Sequence, residues 1–368
     1  MFVCQTGLNV MKTTPLHQNH LALTAKMGAF AGYDMPLYYP EGVIKEHEWV
    51  RSHAGLFDVS HMGQITIEGP GVTEFLQRIT PSSYTKLGLN RAKYTVMTNP
   101  QGGIIDDLMV THCSPDSYFC VINAGCKDKD IAWIRQNLPA GLKLTVHDDF
   151  ALLALQGSAS EKAMKDVAGV DLSGLPYMAM VKFEDFYISR LGYTGEDGFE
   201  ISVPADKAAA LWDKLLDHPD VKPIGLAARD SLRLEMGYCL YSHDITDTTT
   251  PIEAGLSWVM GKTNNGYIGA EHVKADVERK RVGIRLLDKG IAREGTKLYD
   301  EAGTEIGVMT SGGFSPTLKE SIGQGYVQTA YTAAGTKLLA DVRGRKIPAE
   351  IAALPFIAAK TKTGPLKG

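Results

Sequence analysis

The chain has 368 residues, of which 44% are apolar and 22% are charged, proportions that are ordinary for a globular protein. This length exceeds one ordinary hydrophobic core, so we expect two or three packed units. The formal net charge of −4 and the absence of long basic runs disfavour a nucleic-acid-binding or membrane-surface role, because both need a concentrated basic face. No apolar stretch of the sequence reaches the roughly 20 residues that a membrane-spanning helix requires.

The cysteines and the N-terminal residues indicate the cellular compartment. The cysteine count is odd and no pair has Cys-x-x-Cys spacing, which disfavours both a disulfide framework and a structural zinc site: Cys4, Cys113, Cys120, Cys126 and Cys239. The first ten residues lack the basic start and apolar run of a signal peptide, and Met11 opens a segment that resembles a natural start. We therefore expect residues 1–12 to form a disordered extension and the protein to be cytoplasmic.

The spacing of apolar residues predicts the elements of the first 260 or so residues. Taken along the chain, strands are expected at residues 64–68, 104–111, 118–123, 151–155, 185–190 and 199–203. Helices are expected at residues 71–79, 129–137, 206–216 and 224–236. The irregular alternation of the two kinds of element predicts an α+β or mixed-sheet architecture for this part of the chain.

The pattern changes after about residue 275, where short strands follow one another without helices. Turn signals separate six predicted strands, at residues 282–287, 296–299, 305–310, 322–327, 337–342 and 346–352. Strands of this length and spacing are typical of a small antiparallel barrel or sandwich. We expect the boundary before this unit to fall within residues 262–266 or 271–281.

The motifs of several familiar enzyme classes are absent from the sequence. There is no Gly-x-Gly-x-x-Gly segment after a strand and no Walker A loop, so common nucleotide sites are not expected. His47 and Glu48 begin like a zinc-binding helix, but Arg51 stands where the second histidine would be. We therefore expect no metal.

Two adjacent aspartates, Asp106 and Asp107, interrupt an apolar strand. Neighbouring strand residues point to opposite faces, so each carboxylate has a different environment. Asp107 shares its face with Met109 and Thr111, which makes that face slightly more polar than the face of Asp106. A buried carboxylate is costly unless it is paired, which points to function, but an aspartate that caps the preceding glycine turn fits the pattern equally well.

Three further polar segments each have a functional and a structural interpretation. The glycine-rich residues 192–198 would let a flat ligand approach the backbone, but a hairpin between the two flanking strands explains them as well. Arg229 and Arg233, four apart on a predicted helix, form either a ligand-binding face or a solvated ion-pair face. Residues 310–317 are too polar and glycine-rich for a core strand, and we predict a shaped loop there.

Together these segments resemble one family, the T-protein of the glycine cleavage system, which is an aminomethyltransferase. The resemblance runs in order from about residue 13 to 356. Its longest matching stretches are Gly32-Tyr-Asp-Met-Pro36, Ala54-Gly-Leu-Phe-Asp-Val-Ser-His-Met-Gly63, Gly102-Gly-Ile-Ile-Asp-Asp-Leu108, Gly192-Tyr-Thr-Gly-Glu-Asp-Gly-Phe-Glu200 and Gly225-Leu-Ala-Ala-Arg-Asp-Ser-Leu-Arg-Leu-Glu235. No single motif is decisive, but this many in one order are highly specific.

The resemblance implies a fold as well as a family. It implies a three-unit cloverleaf, with two mixed α/β units around a central folate site and a C-terminal antiparallel β-barrel. The first unit would be discontinuous and comprise residues 13–62 and 150–262, the second would comprise residues 63–149, and the barrel would comprise residues 275–360. The strand-rich tail predicted from the apolar pattern agrees with that barrel independently.

The resemblance also implies a reaction, with tetrahydrofolate as co-substrate and neither metal nor flavin. The carbon of an aminomethyl group on the lipoyl arm of a carrier, the H-protein, would pass to the folate as 5,10-methylenetetrahydrofolate, and ammonia would leave. Asp107 would be the catalytic residue near the reacting folate nitrogens. One carboxylate can accept the adjacent N–H donors of a pterin together, which is the role implied for Glu196. The expected folate-binding residues are Glu196, Arg229, Tyr94, Tyr193 and Tyr241.

Relatives with other functions leave one alternative open. A folate-dependent demethylase of a small methyl donor would use the same scaffold and pocket. Relatives that assist iron–sulfur assembly carry a Lys-Gly-Cys-x-Gly-Gln-Glu loop, and flavin-linked dehydrogenase relatives carry an extra dinucleotide-binding domain; this sequence contains neither motif. Some family members end with a tyrosine pair after Pro-Phe, whereas Pro355-Phe356 is followed here by Ile-Ala-Ala-Lys-Thr.

Overall fold

A computed structural model describes residues 11–363, so residues 1–10 of the expected N-terminal extension lie outside the described residues. Lys12 joins the first hairpin: its backbone N–H donates to the Gly32 carbonyl at 3.0 Å, and its own carbonyl accepts from Asp34 at 2.9 Å. Across residues 11–363 no helix has the length and apolar character that crossing a membrane requires.

The elements alternate irregularly in the first two thirds of the described chain and are almost all strands in the last third. The α-helices are α1 (His17–Ala22), α2 (Val43–Ser52), α3 (Val72–Ile79), α4 (Lys127–Asn137), α5 (Ser160–Ala168), α6 (Ala205–Leu216) and α7 (Leu226–Glu235). The strands are β1 (Lys26–Phe30), β2 (Tyr33–Tyr38), β3 (Ala54–Asp58), β4 (Gly63–Glu68), β5 (Ala92–Thr98), β6 (Ile104–Ser114), β7 (Ser117–Ile122), β8 (Lys143–Val146), β9 (Phe150–Gln156), β10 (Ala179–Phe183), β11 (Phe186–Arg190), β12 (Gly198–Pro204), β13 (Val221–Pro223), β14 (Arg279–Leu286), β15 (Lys297–Tyr299), β16 (Glu305–Ser315), β17 (Glu320–Gln328), β18 (Lys337–Val342) and β19 (Arg345–Ala352).

Two large sheets, each with its own hydrophobic core, and the two-stranded antiparallel sheet of β1 and β2 precede the barrel. The first has six strands in the order β10-β11-β12-β9-β3-β13, in which β3 and β13 are parallel and the other pairs antiparallel. The second has five antiparallel strands in the order β5-β6-β7-β4-β8. All strands of the second sheet come between β3 and β9 of the first. The expected α+β architecture is confirmed, and β11 and β12 form the hairpin expected around residues 192–198.

The C-terminal strands close into the expected antiparallel barrel, in the order β14-β17-β16-β15-β18-β19. The loop predicted at residues 310–317 is wrong for most of its length, because β16 continues to Ser315 and Phe314 pairs with Ser321 of β17. Of the two glycines that favoured a loop, Gly312 is needed for close packing. A Cβ at Gly312 would lie 2.5 Å from the Ala292 carbonyl oxygen, which no larger residue tolerates.

Several elements were not predicted because their buried faces do not follow an apolar pattern. Helix α2 is an example, since it buries Glu46 and His47 together with Val50. Strand β3 is another, since all five of its residues are buried and no alternation remains. Sequence periodicity reports amphipathic elements, and neither of these is amphipathic in the ordinary sense.

A buried carboxylate at the end of α7 joins both α2 and the barrel to the centre of the molecule. Glu235 accepts hydrogen bonds from Arg51 Nη2 at 2.7 Å, from Thr317 Oγ1 at 2.8 Å and from Ser315 Oγ at 2.5 Å, and it pairs with His47 at 3.2 Å. Burial opposes ionisation, but the hydrogen bonds and charges of His47 and Arg51 outweigh it and lower the pKa of Glu235 to about 2. The ionised Glu235 carboxylate therefore connects α7 to α2 and to the barrel.

Candidate active site

The two aspartates of β6 face different parts of the molecule, as strand alternation requires. Asp106 is fully buried and lies beside α4, where its carboxylate is within 4.8 Å of the Cys126 thiol and of the Asp130 carboxyl. Asp107 is only partly buried and lies on the face that continues through Met109 and Thr111. Both of those residues line a small cavity of about 10 Å³ between the two sheets, which has room for about one water molecule. The Asp107 face is therefore the one that continues toward this cavity.

Asn123, directly after β7, holds both aspartates through one amide group. Its Nδ2 donates to Asp106 Oδ1 and to Asp107 Oδ1, each at 3.0 Å, and its backbone N–H donates to Asp106 Oδ2 at 3.0 Å. The turn that precedes β6 is capped instead by Asn99, whose side-chain oxygen accepts from Gln101 at 2.9 Å and from Gly103 at 3.0 Å. The turn-capping interpretation of the aspartates is therefore wrong.

The environment of Asp107 disfavours its ionised form. Burial and the neighbouring Asp106 carboxylate raise the pKa of Asp107 to about 7, while hydrogen bonds from Tyr94 and Asn123 act in the opposite direction. A carboxyl group with this pKa exchanges a proton readily near neutral pH, which is a property of catalytic acids and bases.

This raised pKa predicts that Asp107→Asn is more stable than the wild-type protein at alkaline pH. Between the ordinary pKa of 3.8 and about 7, the native state holds a proton that the unfolded chain has released, so the contribution of Asp107 to stability falls as pH rises through this window. Asparagine carries no charge at any of these pH values. Denaturant unfolding should show no gain near pH 4 and a gain on the order of 2–4 kcal/mol near pH 8. An equal gain at both pH values would contradict the shift.

A second pair of charged groups adjoins the same cavity from the opposite sheet. Glu200 of β12 lines the cavity, and Arg229 Nη2 of α7 lies 3.8 Å from Glu200 Oε1. Burial raises the pKa of Glu200 and lowers the pKa of Arg229, so each charge is incompletely compensated. Arg229 Nη1 is buried without a hydrogen-bond partner among the described residues. Such a pair can still bind a polar ligand edge.

The three predicted tyrosines differ in their placement. Tyr193 lies under the Arg229 guanidinium, with 5.0 Å between the guanidinium carbon and the ring centroid. Tyr94 stacks on Trp258 at 5.5 Å, and burial together with the Asp107 carboxylate raises its pKa. Tyr241 lies behind β6, where its hydroxyl accepts from Lys129 Nζ at 2.6 Å and donates to the Ile104 carbonyl at 3.3 Å. Tyr94 and Tyr193 thus lie near the Asp107 carboxylate, whereas Tyr241 lies on the Asp106 side of β6.

Glu196 does not lie with the Glu200 and Arg229 pair. Its Oε1 atom accepts from Arg51 Nη1 and from Lys360 Nζ, each at 3.0 Å, so its carboxylate is part of an ion cluster under the C-terminal tail. Arg233 is not available to a ligand either, because its guanidinium group pairs with the Asp244 carboxylate at 2.8 Å. The alternative of a solvated ion-pair face is wrong as well, since the Arg229 and Arg233 side chains are 14% and 3% exposed.

Sequence reasoning missed Glu200 and Asn123 as candidate site residues. A signal for Glu200 was present, because Phe199, Ile201 and Val203 form the core-facing side of β12 and leave Glu200 and Ser202 on the other face. For Asn123 there was none, because an asparagine at the end of a strand is common in ordinary turns.

Comparisons with known proteins agree along the whole described chain. The family model for the GCVT N-terminal domain matches residues 16–264, and the model for the glycine cleavage T-protein C-terminal barrel domain matches residues 279–357. An aminomethyltransferase of Phocaeicola vulgatus is 44% identical over 360 residues, covering 94% of this chain and 99% of the relative. A mitochondrial aminomethyltransferase of Saccharomyces cerevisiae is 41% identical over 380 residues, covering 95% of each.

A solved structure of the same family matches the fold of this chain. The crystal structure of glycine cleavage system aminomethyltransferase T from Bartonella henselae superposes with a TM-score of 0.93 at 40% identity, covering 96% of this chain and 100% of that one. The resemblance stated from the motifs is thereby confirmed, and so is the expected combination of α/β sheets with a C-terminal barrel. The chain belongs to the glycine cleavage T-protein family and is an aminomethyltransferase.

Proposed function

We propose that this enzyme uses tetrahydrofolate as co-substrate and takes its one-carbon unit from the aminomethyl-lipoyl arm of an H-protein. The observation that carries the proposal is the set of groups around the Tyr193 ring. The Arg229 guanidinium carbon lies 5.0 Å from the ring centroid, the incompletely paired Glu200 lies beside Arg229, and the Asp107 carboxylate contributes, after burial, to the raised pKa of Tyr193. A pterin is flat and has adjacent N–H donors, so it matches a carboxylate acceptor beside an aromatic ring. The printed names of the relatives support the transferase class.

The proposed reaction is balanced without an oxidant or a metal. The C–N bond to the departing amine and the C–S bond to the lipoyl arm break, and the carbon forms new bonds to N5 and N10 of tetrahydrofolate. Those two nitrogens each lose one hydrogen. One hydrogen completes ammonia and the other completes the second thiol of the dihydrolipoyl arm.

Asp107 supplies a negative charge where positive charge develops on the migrating carbon. Its position on β6, fixed by Asn123, also orients the folate nitrogens toward the donor. With a pKa raised to about 7, a substantial fraction of Asp107 is still ionised at neutral pH, and the carboxylate is basic enough to receive a proton from the nucleophile.

For the pterin-binding carboxylate we propose Glu200 rather than Glu196, which remains the assignment implied by motif alone. Glu200 lies at the cavity and beside Arg229, whereas Glu196 is occupied by Arg51 and Lys360. Tyr193 and Tyr94 are the proposed aromatic walls. Tyr241 acts, in this account, by holding Lys129 and the backbone behind β6.

The two glutamates provide a matched test of this choice. Glu200→Gln keeps the size of the side chain but removes an acceptor, and should raise the KM for tetrahydrofolate by about 10–100-fold. Glu196→Gln should change that KM by less than about threefold and should instead lower thermal stability, because it weakens a buried ion cluster. A larger KM effect for Glu196→Gln would restore the motif-based assignment.

An assay with two kinds of one-carbon donor distinguishes the proposed aminomethyltransferase from the demethylase alternative. Purified enzyme is given tetrahydrofolate and either aminomethylated H-protein or small methyl donors, and the folate product is identified by mass. We expect 5,10-methylenetetrahydrofolate only with the loaded carrier. Turnover with the small donors alone would overturn the proposal.

We also propose that the enzyme acts in the cytoplasm, with H-protein as its protein partner and with no nucleic-acid or membrane partner. The net charge of −4 supports this, because it provides no excess of basic residues for a polyanion. The bacterial relatives carry no compartment in their names, whereas the yeast relative is named mitochondrial. Fractionation of the native host followed by immunoblotting tests the location.

A further inference from the structure

Behind the Asp106 and Asp107 pair lies a third carboxyl group that the proposed reaction does not use. Asp130 is on α4, is fully buried, and has both carboxyl oxygens without a hydrogen-bond partner among the described residues. Its carboxyl lies within 4.8 Å of the Asp106 carboxylate and of the Cys126 thiol. An ionised carboxylate in this place would have no compensating donor, which is too costly to retain.

Asp106 has the opposite environment, although it is equally buried. Its two oxygens accept hydrogen bonds from the backbone and side-chain N–H groups of Asn123, both at 3.0 Å. Asp106 thus has two N–H donors, whereas Asp130 has none among the described residues. A neutral Asp130 that donates its O–H to the Asp106 carboxylate would give Asp130 a partner without burying a second charge.

We propose that Asp130 is a positioning residue, held as a neutral acid, whose hydrogen bond to Asp106 fixes the single negative charge that adjoins Asp107. The connection runs from Asp130 through Asp106 and the Asn123 amide to Asp107, which the amide also contacts at 3.0 Å. This inference rests on the proposed catalytic role of Asp107. Asp130 touches no substrate and acts through the protonation of its neighbours.

The pKa shifts agree with this geometry. Burial and the Asp106 carboxylate raise the pKa of Asp130 to about 11, although Lys129 acts in the opposite direction. Lys129 Nζ donates instead to the Ile105 carbonyl at 2.5 Å and to Tyr241 at 2.6 Å. The titratable groups that face this set of carboxyls from the surrounding elements are Tyr94, Cys126, Lys129, Tyr193, Cys239 and Tyr241.

A metal ion is the competing occupant of this cluster. Asp106, Cys126 and Asp130 would supply three ligand atoms. However, burial, with the negative charge of Asp106, raises the pKa of the Cys126 thiol, so the thiolate that a metal requires is disfavoured. A shared proton needs only the carboxyl groups already present.

Two substitutions at the same position separate the possible roles. The acid limb of the pH dependence of kcat/KM reports Asp107 if Asp107 reacts as proposed. Asp130→Asn carries no charge and retains an N–H donor, so it should keep the wild-type position of this limb. Asp130→Leu removes the donor, lets Asp106 take up the proton, and should move the limb toward acid by about one pH unit, as Asp106→Asn does. A shifted limb in Asp130→Asn, or an unshifted limb in Asp130→Leu, would overturn the proposal.

An infrared measurement tests the inference independently of catalysis. We subtract the infrared spectrum of folded Asp130→Asn from that of folded wild type at about pH 8. The difference should contain the C=O stretch of a protonated carboxyl group, because a carboxylate and an amide absorb at lower frequency. A carboxylate band in its place would contradict a neutral Asp130, even if Asp107 proves essential. The protonated band together with full activity of Asp107→Asn would instead refute the proposed function and leave the neutral acid established. Elemental analysis of the purified enzyme should find no stoichiometric metal; one zinc per chain lost in both Asp130 variants would favour the metal.

Discussion

Asp107→Asn is expected to lower kcat by about 10²–10³-fold, whereas Asp106→Asn should retain considerably more activity. Asparagine fills the same space as the carboxyl group but carries no charge to stabilise the migrating carbon. Asp106 lies on the opposite face of β6, beside α4, and in this proposal it affects the reaction indirectly, through its charge and the shared Asn123 amide. Steady-state kinetics with aminomethylated H-protein, over a range of pH, measures both variants under conditions in which each is folded.

The comparison has a built-in control, because both variants replace one of two neighbouring aspartates that share the Asn123 amide. General disruption of β6 would affect them alike. Equal losses of kcat, or a larger loss in Asp106→Asn, would refute the assignment of Asp107. The stability gain predicted for Asp107→Asn at alkaline pH shows whether that variant is folded.

Asp244→Ala is expected to reduce the free energy of unfolding by about 3–5 kcal/mol. Asp244 is 1% exposed, and its carboxylate accepts from Arg233 at 2.8 Å, from Gln324 at 2.7 Å and from Ser311 at 3.0 Å. Because Arg233 belongs to α7 and Gln324 and Ser311 belong to the barrel, the substitution leaves unpaired polar groups at the junction between units. Urea unfolding followed by circular dichroism measures the loss.

Asp230→Ala is the matched control for that measurement. Asp230 pairs with the same arginine, Arg233, at 2.8 Å, but its side chain is 54% exposed. Solvent compensates for such a pair, so the substitution should cost less than about 1 kcal/mol. Similar costs for Asp230→Ala and Asp244→Ala would show that the buried junction does not hold the barrel in place.

The barrel was predictable because its strands alternate and its turns contain glycine or charged residues, which are local signals. The limits of the prediction were also physical. Gly312 allows the close approach of the Ala292 carbonyl to β16, and composition alone cannot distinguish that role from a loop. Helix α2 buries polar residues and so lacks an apolar stripe. His47 and Arg51 pair with Glu235, and Glu46 accepts hydrogen bonds from the backbone N–H groups of Tyr39 and Gly225.

For the candidate site, too, some residues could be predicted from local sequence patterns and others depend on tertiary packing. Strand alternation makes the face of Asp107 only slightly more polar than the face of Asp106, and the family resemblance decided the choice of Asp107. The cavity beside Met109 and Thr111 lies on the Asp107 face. The motif-based choice of Glu196 did not use alternation, which separates Glu200 from its apolar neighbours on β12. Asp130 and Ile134 are the two buried residues of α4, so the sequence gives no apolar pattern around Asp130, and only the packing of α4 against β6 indicates its role.

A crystal structure of the enzyme with bound tetrahydrofolate would locate the folate relative to Asp107 and Glu200. We expect the pterin between the two sheets, with its N–H edge at the Glu200 carboxylate, its ring against Tyr193, and its N5 and N10 atoms within hydrogen-bond or contact distance of Asp107. A pterin bound away from both Asp107 and Glu200 would contradict the proposed site.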